Sequence, residues 1–241
     1  MRRYLTEFIG TFFLVLTIGC TVLGGAPTPP LFIGLALAAM VFAGGHVSGA
    51  HYNPAVTLAV WMRGQCDTRD LPGYLVAQVS GAVVAGLAVR VIIGHAPAAP
   101  FSVSGQVGPA LLAEFLITFA LAYVVLNVAT SSHHPHNSFY GLAIGATVAA
   151  GAMAVGGVSG GVFNPAVAFG VSTAGMVSWS SLWLFLVADL AGAALASATF
   201  RWLNPAEFTA AADAADEVWA NGDIPAPRPA ADQHVPTREL H

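Results

Sequence analysis

The sequence contains no lysine. Its eight basic residues are all arginine, and charged residues make up only 8% of its 241 positions. A soluble domain carries about 25% charged residues, so the chain is poorly equipped to solvate a globular surface. The formal net charge of −4 is spread thinly, and no basic cluster marks a nucleic-acid partner. Cysteine is scarce as well. Cys20 falls in a predicted first helix and Cys66 in a predicted loop, poorly placed to pair, which excludes a disulfide framework. Nothing calls for a cofactor, and no residue group reads as a metal site. What remains is apolar: 56% of residues are hydrophobic and the mean hydropathy is +0.71. The start, MRRYLTEFIG, has a basic opening. Glu7 then interrupts it and the apolar run continues well past a signal-peptide core, so it reads as a retained helix.

A membrane-spanning helix needs about 20 mostly apolar residues. Six stretches qualify: roughly 5–24, 31–47, 72–94, 109–130, 139–157 and 180–203. Two others, around 53–62 and 164–174, are too short. Ten helical residues cover ~15 Å, about half of a hydrocarbon core. With six spans, Arg2, Arg3, Arg63, Arg69, Arg201, Arg228 and Arg238 share one side and Arg90 lies toward the other. The positive-inside rule then predicts that both termini are cytoplasmic. Residues 1–203 form the predicted membrane domain. The segment 204–241, rich in Ala, Pro, Asp and Glu, is read as a flexible cytoplasmic tail.

The membrane domain is internally repeated, over about 4–95 and 108–203. EFIGTFFLV at 7–15 matches EFLITFALA at 114–122, and HVSGAHYNPAV at 46–56 matches GVSGGVFNPAV at 157–167. AQVSGA at 77–82 matches ADLAGA at 188–193. Each half holds three spans. An odd number forces the copies to insert upside-down relative to each other, which places broken helices and a transport path at the repeat interface. The fold class that follows is an all-α membrane protein with six transmembrane helices and two re-entrant half-helices.

Both short stretches begin Asn-Pro-Ala: Asn53, Pro54 and Ala55, then Asn164, Pro165 and Ala166. Asn is a strong helix N-cap, and Pro suits the first helical position. Inverted insertion makes the two helix starts meet near the bilayer midplane, each carrying roughly half a positive charge. Cations are repelled there, while the Asn amides can donate to a neutral oxygen. The preceding loops, with His46, Gly49, Ala50, His51 and Tyr52 in one half and Gly160, Gly161 and Val162 in the other, must be irregular backbone at membrane depth. Such backbone is tolerated where it lines a water-filled cavity. Glu7 and Glu114 sit at matching places in the first helix of each half, where a carboxylate can accept N–H bonds from the loops.

These motifs resemble the aquaporin, or major intrinsic protein, family. The resemblance covers about residues 4–203 and rests on EFIGTF, GHVSGAHYNPAVT, AQVSGA, EFLITF and SGGVFNPAVAFG. It implies an aquaporin-like channel in the lipid bilayer of a bacterial inner membrane, with one pore per subunit. It further implies a homotetramer and passive flow of water or small neutral solutes. Most family members have Arg directly after the second Asn-Pro-Ala; this chain has Val167. The other filter positions of the family fall on Ile33, Ala152 and Gly161, where a water-selective member carries Phe, His and a small residue. Ile, Ala, Gly and Val imply a wider, apolar filter without a fixed positive charge. Glycerol, urea, undissociated organic acids and metalloid hydroxides such as arsenous acid become candidate solutes. Glycerol channels of the family carry Asp after the Arg, whereas Ala168 and Phe169 stand here, which weakens a dedicated glycerol reading. A water-selective channel is the alternative, and a low-permeability structural membrane protein a remote one.

Other residues invite other readings. His46 and His51 have a metal-like spacing, but the resemblance places both in the cytoplasmic half of the pore. His133, His134 and His136 lie in one predicted cytoplasmic loop and could gate the inner mouth with pH; a solvated loop is the plainer reading. Asp189, in the sixth span, is a candidate functional residue, as an intramembrane Asp is by default; the preferred reading is a structural partner of neighbouring Ser or Thr side chains, or a subunit contact. A coupled transporter needs an ion site at the midplane, where this chain has Asn, Pro and Ala. No nucleophile motif with a His partner points to an enzyme.

Overall fold

Apolar runs bounded by Gly and Pro dictate the helices. The computed structural model describes residues 1–95, 97–134 and 137–208, so His136 and the tail beyond 208 lie outside the described residues. Six long helices appear: α1 (Arg2–Leu23), α2 (Pro29–Ser48), α4 (Leu71–Ile93), α5 (Val107–Thr130), α6 (Tyr140–Ser159) and α8 (Leu182–Leu203). At 1.5 Å per residue they are ~30–36 Å long, enough to cross a bilayer. Two helices of nine residues, α3 (Pro54–Met62) and α7 (Pro165–Thr173), reach only ~14 Å. A short 3-10 turn, Trp179–Ser181, leads into α8. The chain is a multi-pass membrane protein.

Packing repeats the sequence symmetry. α1 packs on α4 as α5 packs on α8; α1 meets α2 as α5 meets α6. Across the halves, α4 meets α7 as α3 meets α8, and α2 lies against α6. These helices form one compact unit, Met1–Leu203. Residues 204–208 make a single helical turn, with the Glu207 N–H donating to the Asn204 carbonyl.

Lipid adds no hydrophobic force between apolar helices, so close approach of small residues holds them together. Gly81 sits against the Phe8 carbonyl, and Gly192 against that of Phe115 at the matching place. Large apolar side chains such as Leu35, Val76, Leu142 and Val187 face outward, as a lipid-facing surface requires. On the face that carries the N-terminus, Arg3 pairs with Asp70 at 2.8 Å. His133 and His134, in the loop after α5, are both exposed.

Candidate functional site: the paired Asn-Pro-Ala loops

α2 and α6 each end at a glycine in the left-handed region, Gly49 (φ 86°) and Gly160 (φ 97°). The chain then turns back into the protein. Ala50 and Tyr52 in one loop, and Phe163 in the other, also have φ near 50°. That region is costly for residues with a Cβ, about 1–3 kcal/mol each, and it persists only where the surroundings hold it. Two buried carboxylates do so. Glu7 Oε1 accepts from the Ser48 hydroxyl (2.6 Å) and the His51 N–H (3.0 Å); Oε2 accepts from the Tyr52 N–H (2.7 Å) and the Gln78 amide (2.8 Å). Glu114 accepts from the Val162 N–H (3.0 Å) and the Phe163 N–H (2.6 Å).

The half-helices start where these loops end. Asn53 Oδ1 caps α3 through the Ala55 N–H at 2.8 Å. Asn164 Oδ1 caps α7 through the N–H groups of Ala166 (2.9 Å) and Val167 (3.3 Å). The two caps are also tied together. Asn53 Nδ2 donates to the Phe163 carbonyl and Asn164 Nδ2 to the Tyr52 carbonyl, each at 2.9 Å. An amide has two N–H donors. One from each Asn is committed to this cross-tie.

Two cavities meet at this point. One, of about 660 Å³, runs from Pro29, Pro97 and Phe101 down to Asn53 and Asn164. The other, of about 300 Å³, opens on the N-terminal face beside Arg3, Cys66 and Asp70. His51 and Val125 line both. Ile33, Ala152, Gly161 and Val167 all line the larger cavity, with Ala50, His51, Tyr52, Gly160 and Val162. His46 and Gly49 line the smaller one. Pro54, Ala55, Pro165 and Ala166 line neither and are buried where the half-helices begin. Among the described residues that line the larger cavity there is no Asp, Glu or Arg.

A family model for the major intrinsic proteins matches residues 1–200. The chain belongs to the major intrinsic protein family. Members of this family are channels, so the chain is a membrane channel for small solutes and not an enzyme. It is 38% identical to "Glycerol uptake facilitator protein-like 6" of Lactiplantibacillus plantarum over 208 residues, 82% of this chain and 95% of that one. It is 32% identical to "Aquaporin AqpM" of Methanothermobacter thermautotrophicus, over 84% of this chain and 97% of that one. The fold is that of the aquaglyceroporin from Plasmodium falciparum, with a TM-score of 0.74 at 21% identity, covering 86% of this chain and 98% of that one.

The structure adds contacts to this channel's loop shell that the motifs did not specify. Gln78 bridges Glu7 and the Thr57 hydroxyl, which also meets His51 Nδ1 at 3.1 Å. The Tyr74 hydroxyl donates to the Ser48 carbonyl at 2.6 Å. The Tyr52 hydroxyl donates to the Met40 carbonyl at 2.9 Å. A signal existed for Gln78, because an amide in the middle of an apolar span needs a partner. The motif placed Tyr52 in the pore loop, but nothing in it signalled where its ring packs. Its ring lies against Gly10 and Gly44, and those glycines become legible only once the ring is in place.

Proposed function

We propose that this channel passes small neutral solutes, among them glycerol, urea and metalloid hydroxides such as arsenous acid, along with some water. Ile33, Ala152, Gly161 and Val167 form its selectivity filter. The observation that carries the reading is that these four residues line one cavity with no Asp, Glu or Arg among its described lining residues, and that Val167 stands where the resemblance puts the family's filter arginine. A wall of this kind competes poorly for a strongly hydrated ion and lets a weakly hydrated solute shed its water cheaply. The helix starts at Asn53 and Asn164 supply the cation barrier, and the spare amide N–H of each gives the solute a hydrogen bond. Glu7 and Glu114 are the scaffold of the two loops. Residues 1–203 are the channel domain, and the protein works as a homotetramer in the cell's inner membrane.

Stopped-flow light scattering of proteoliposomes with water, glycerol and urea, together with arsenous acid uptake, tests this reading. Wild type is expected to pass the larger solutes. Val167→Arg adds bulk and a buried charge at the filter and is expected to slow those solutes at least about tenfold, equivalent to ~1.4 kcal/mol, while sparing water. A wild type that conducts water alone would make this a water-selective channel.

The excess of arginines on one side of the six spans supports a cytoplasmic location for both termini, by the positive-inside rule. Cys66 reports on this. Burial, and then the nearby Asp70 carboxylate, push its thiol above the ordinary value. Less thiolate is present at neutral pH, so alkylation is slow and quickens as pH rises. In a Cys20→Ser background, a membrane-impermeant maleimide is expected to label Cys66 in inside-out vesicles only. Labelling from the outside of intact cells would invert the topology.

A further inference from the structure

The two loop shells differ at one position. Around Glu7 stand four donors: the Ser48 hydroxyl, the His51 and Tyr52 N–H groups and the Gln78 amide. Moving each of them 111 positions along the chain gives Ser159, Val162, Phe163 and Asp189. All four surround Glu114. Val162 and Phe163 donate backbone N–H groups as before, and the Ser159 hydroxyl stands beside the carboxylate. The fourth is a carboxyl group, which donates only if it carries a proton.

The surroundings of Asp189 bear on that proton. Asp189 and Glu114 both have 0% exposure, and their carboxyl groups lie within hydrogen-bonding reach of each other. Two ionised carboxylates in contact and out of water repel strongly, so one of them keeps a proton. Among the described residues no cation stands nearby to change this. α8 packs on α3, α5 and α7. Within those elements the only titratable groups are Glu114 and Tyr123. Tyr123 is nine residues beyond Glu114 on α5. Arg63, at the end of α3, lies over the Phe200 ring. Phe200 and Arg201 are eleven and twelve residues beyond Asp189, ~16–18 Å along α8. The groups facing Asp189 besides Glu114 are the Thr118 hydroxyl, which donates to Oδ1 at 3.0 Å, and the Asn164 N–H. Oδ2 accepts no hydrogen bond among the described residues and is the oxygen left to hold a proton. Thr118 takes over a place that has changed in the repeat. Gln78 rests on Thr57, whose counterpart Ala168 has no hydroxyl.

We propose that Asp189 is a neutral carboxylic acid in the working channel and donates its proton to Glu114, as Gln78 donates its amide N–H to Glu7. Asp189 is thus a positioning residue for the second Asn-Pro-Ala loop, acting through Glu114. The first loop is held by a permanent amide donor, the second by a single proton. Its removal leaves two adjacent carboxylates and loosens the backbone at Val162 and Phe163, directly before Asn164. The inference holds whichever solute the channel passes.

Infrared spectroscopy of the purified channel in lipid tests it directly. At neutral pH wild type is expected to show a carboxylic-acid C=O band that shifts when the aspartate side-chain carboxyl is labelled with ¹³C and is absent from Asp189→Asn. Asp189→Asn keeps a donor of the same size, so its permeability to water and glycerol is expected to stay within about twofold of wild type. Asp189→Leu strands Glu114 and is expected to lose at least about tenfold. Raising the pH until the band disappears is expected to lower wild-type permeability and to leave Asp189→Asn unchanged. A band that survives in Asp189→Asn, or does not shift with the labelled aspartate, overturns the proposal. So does an Asp189→Leu channel as permeable as wild type. If that variant does not fold, the labelled spectrum decides alone.

Discussion

Replacing Glu7 with Ala is expected to abolish solute flux and to lower the melting temperature sharply. The carboxylate has 0% exposure and accepts four hydrogen bonds of 2.6 to 3.0 Å. Ala leaves the His51 and Tyr52 N–H groups, the Ser48 hydroxyl and the Gln78 amide without that acceptor. A stranded buried donor costs about 1–3 kcal/mol, and total stabilities are only about 5–15 kcal/mol. The strained backbone at Ala50 and Tyr52 then loses its restraint. As Tyr52 moves, its carbonyl leaves Asn164 Nδ2, and the cross-tie between the half-helices opens. Glu7→Gln is expected to be milder, because it keeps one acceptor and brings its own N–H toward a single backbone donor. Thermal melts in detergent and flux per folded protein check both variants. A Glu7→Ala channel within about twofold of wild-type flux would mean that the loop does not depend on this carboxylate.

The second large effect is expected at Gly145, where α6 crosses α2. A Cβ on Gly145 would overlap the Gly34 carbonyl oxygen and lie 2.9 Å from the Ala38 Cβ. A Cβ on Gly34 would overlap the Gly145 carbonyl and lie 2.7 Å from the Ala149 Cβ. These obstacles are backbone and methyl groups with no rotamer to change, so the helices must separate. Gly145→Val is expected to cost at least about 1–3 kcal/mol. Its effect on flux follows from position: Ile33 adjoins Gly34, and Ala152 lies one turn beyond Ala149. Forcing α2 and α6 apart moves two walls of the larger cavity. Melting temperature and the ratio of glycerol to water permeability read the two consequences separately. A Gly145→Val protein with a wild-type melt would show that the helices do not cross this tightly. Gly145→Ala is expected to move both readings in the same direction by less.

Much of the path was legible from residues alone, and for local reasons. Apolar run length separates a spanning helix from a half-helix, and the observed ends of α1, α2, α4, α5, α6 and α8 fall within a few residues of the expected spans. Asn followed by Pro marks a helix start wherever it occurs, and Asn53 and Asn164 are both caps in extended backbone. The repeat brought Glu7 and Glu114 into view because a carboxylate in an apolar span is rare enough to stand out. The amides of Asn53 and Asn164 illustrate what was not legible. Each was expected to donate to a passing oxygen; that one N–H of each is also committed to the carbonyl before the other Asn could not be read from the motif.

The sequence by itself determined the number of spans, their inverted symmetry and the chemistry available at the midplane, because those depend on run length, helix capping and the parity of three spans per repeat. Only the tertiary structure decided which donors surround each carboxylate, that Tyr52 occupies the space left by Gly10 and Gly44, and that Asp189 faces Glu114. These facts depend on how each helix is rotated about its own axis. In a helix that is apolar nearly all round, hydrophobic patterning carries almost no record of that rotation; the close packing of small residues against a neighbouring backbone sets it.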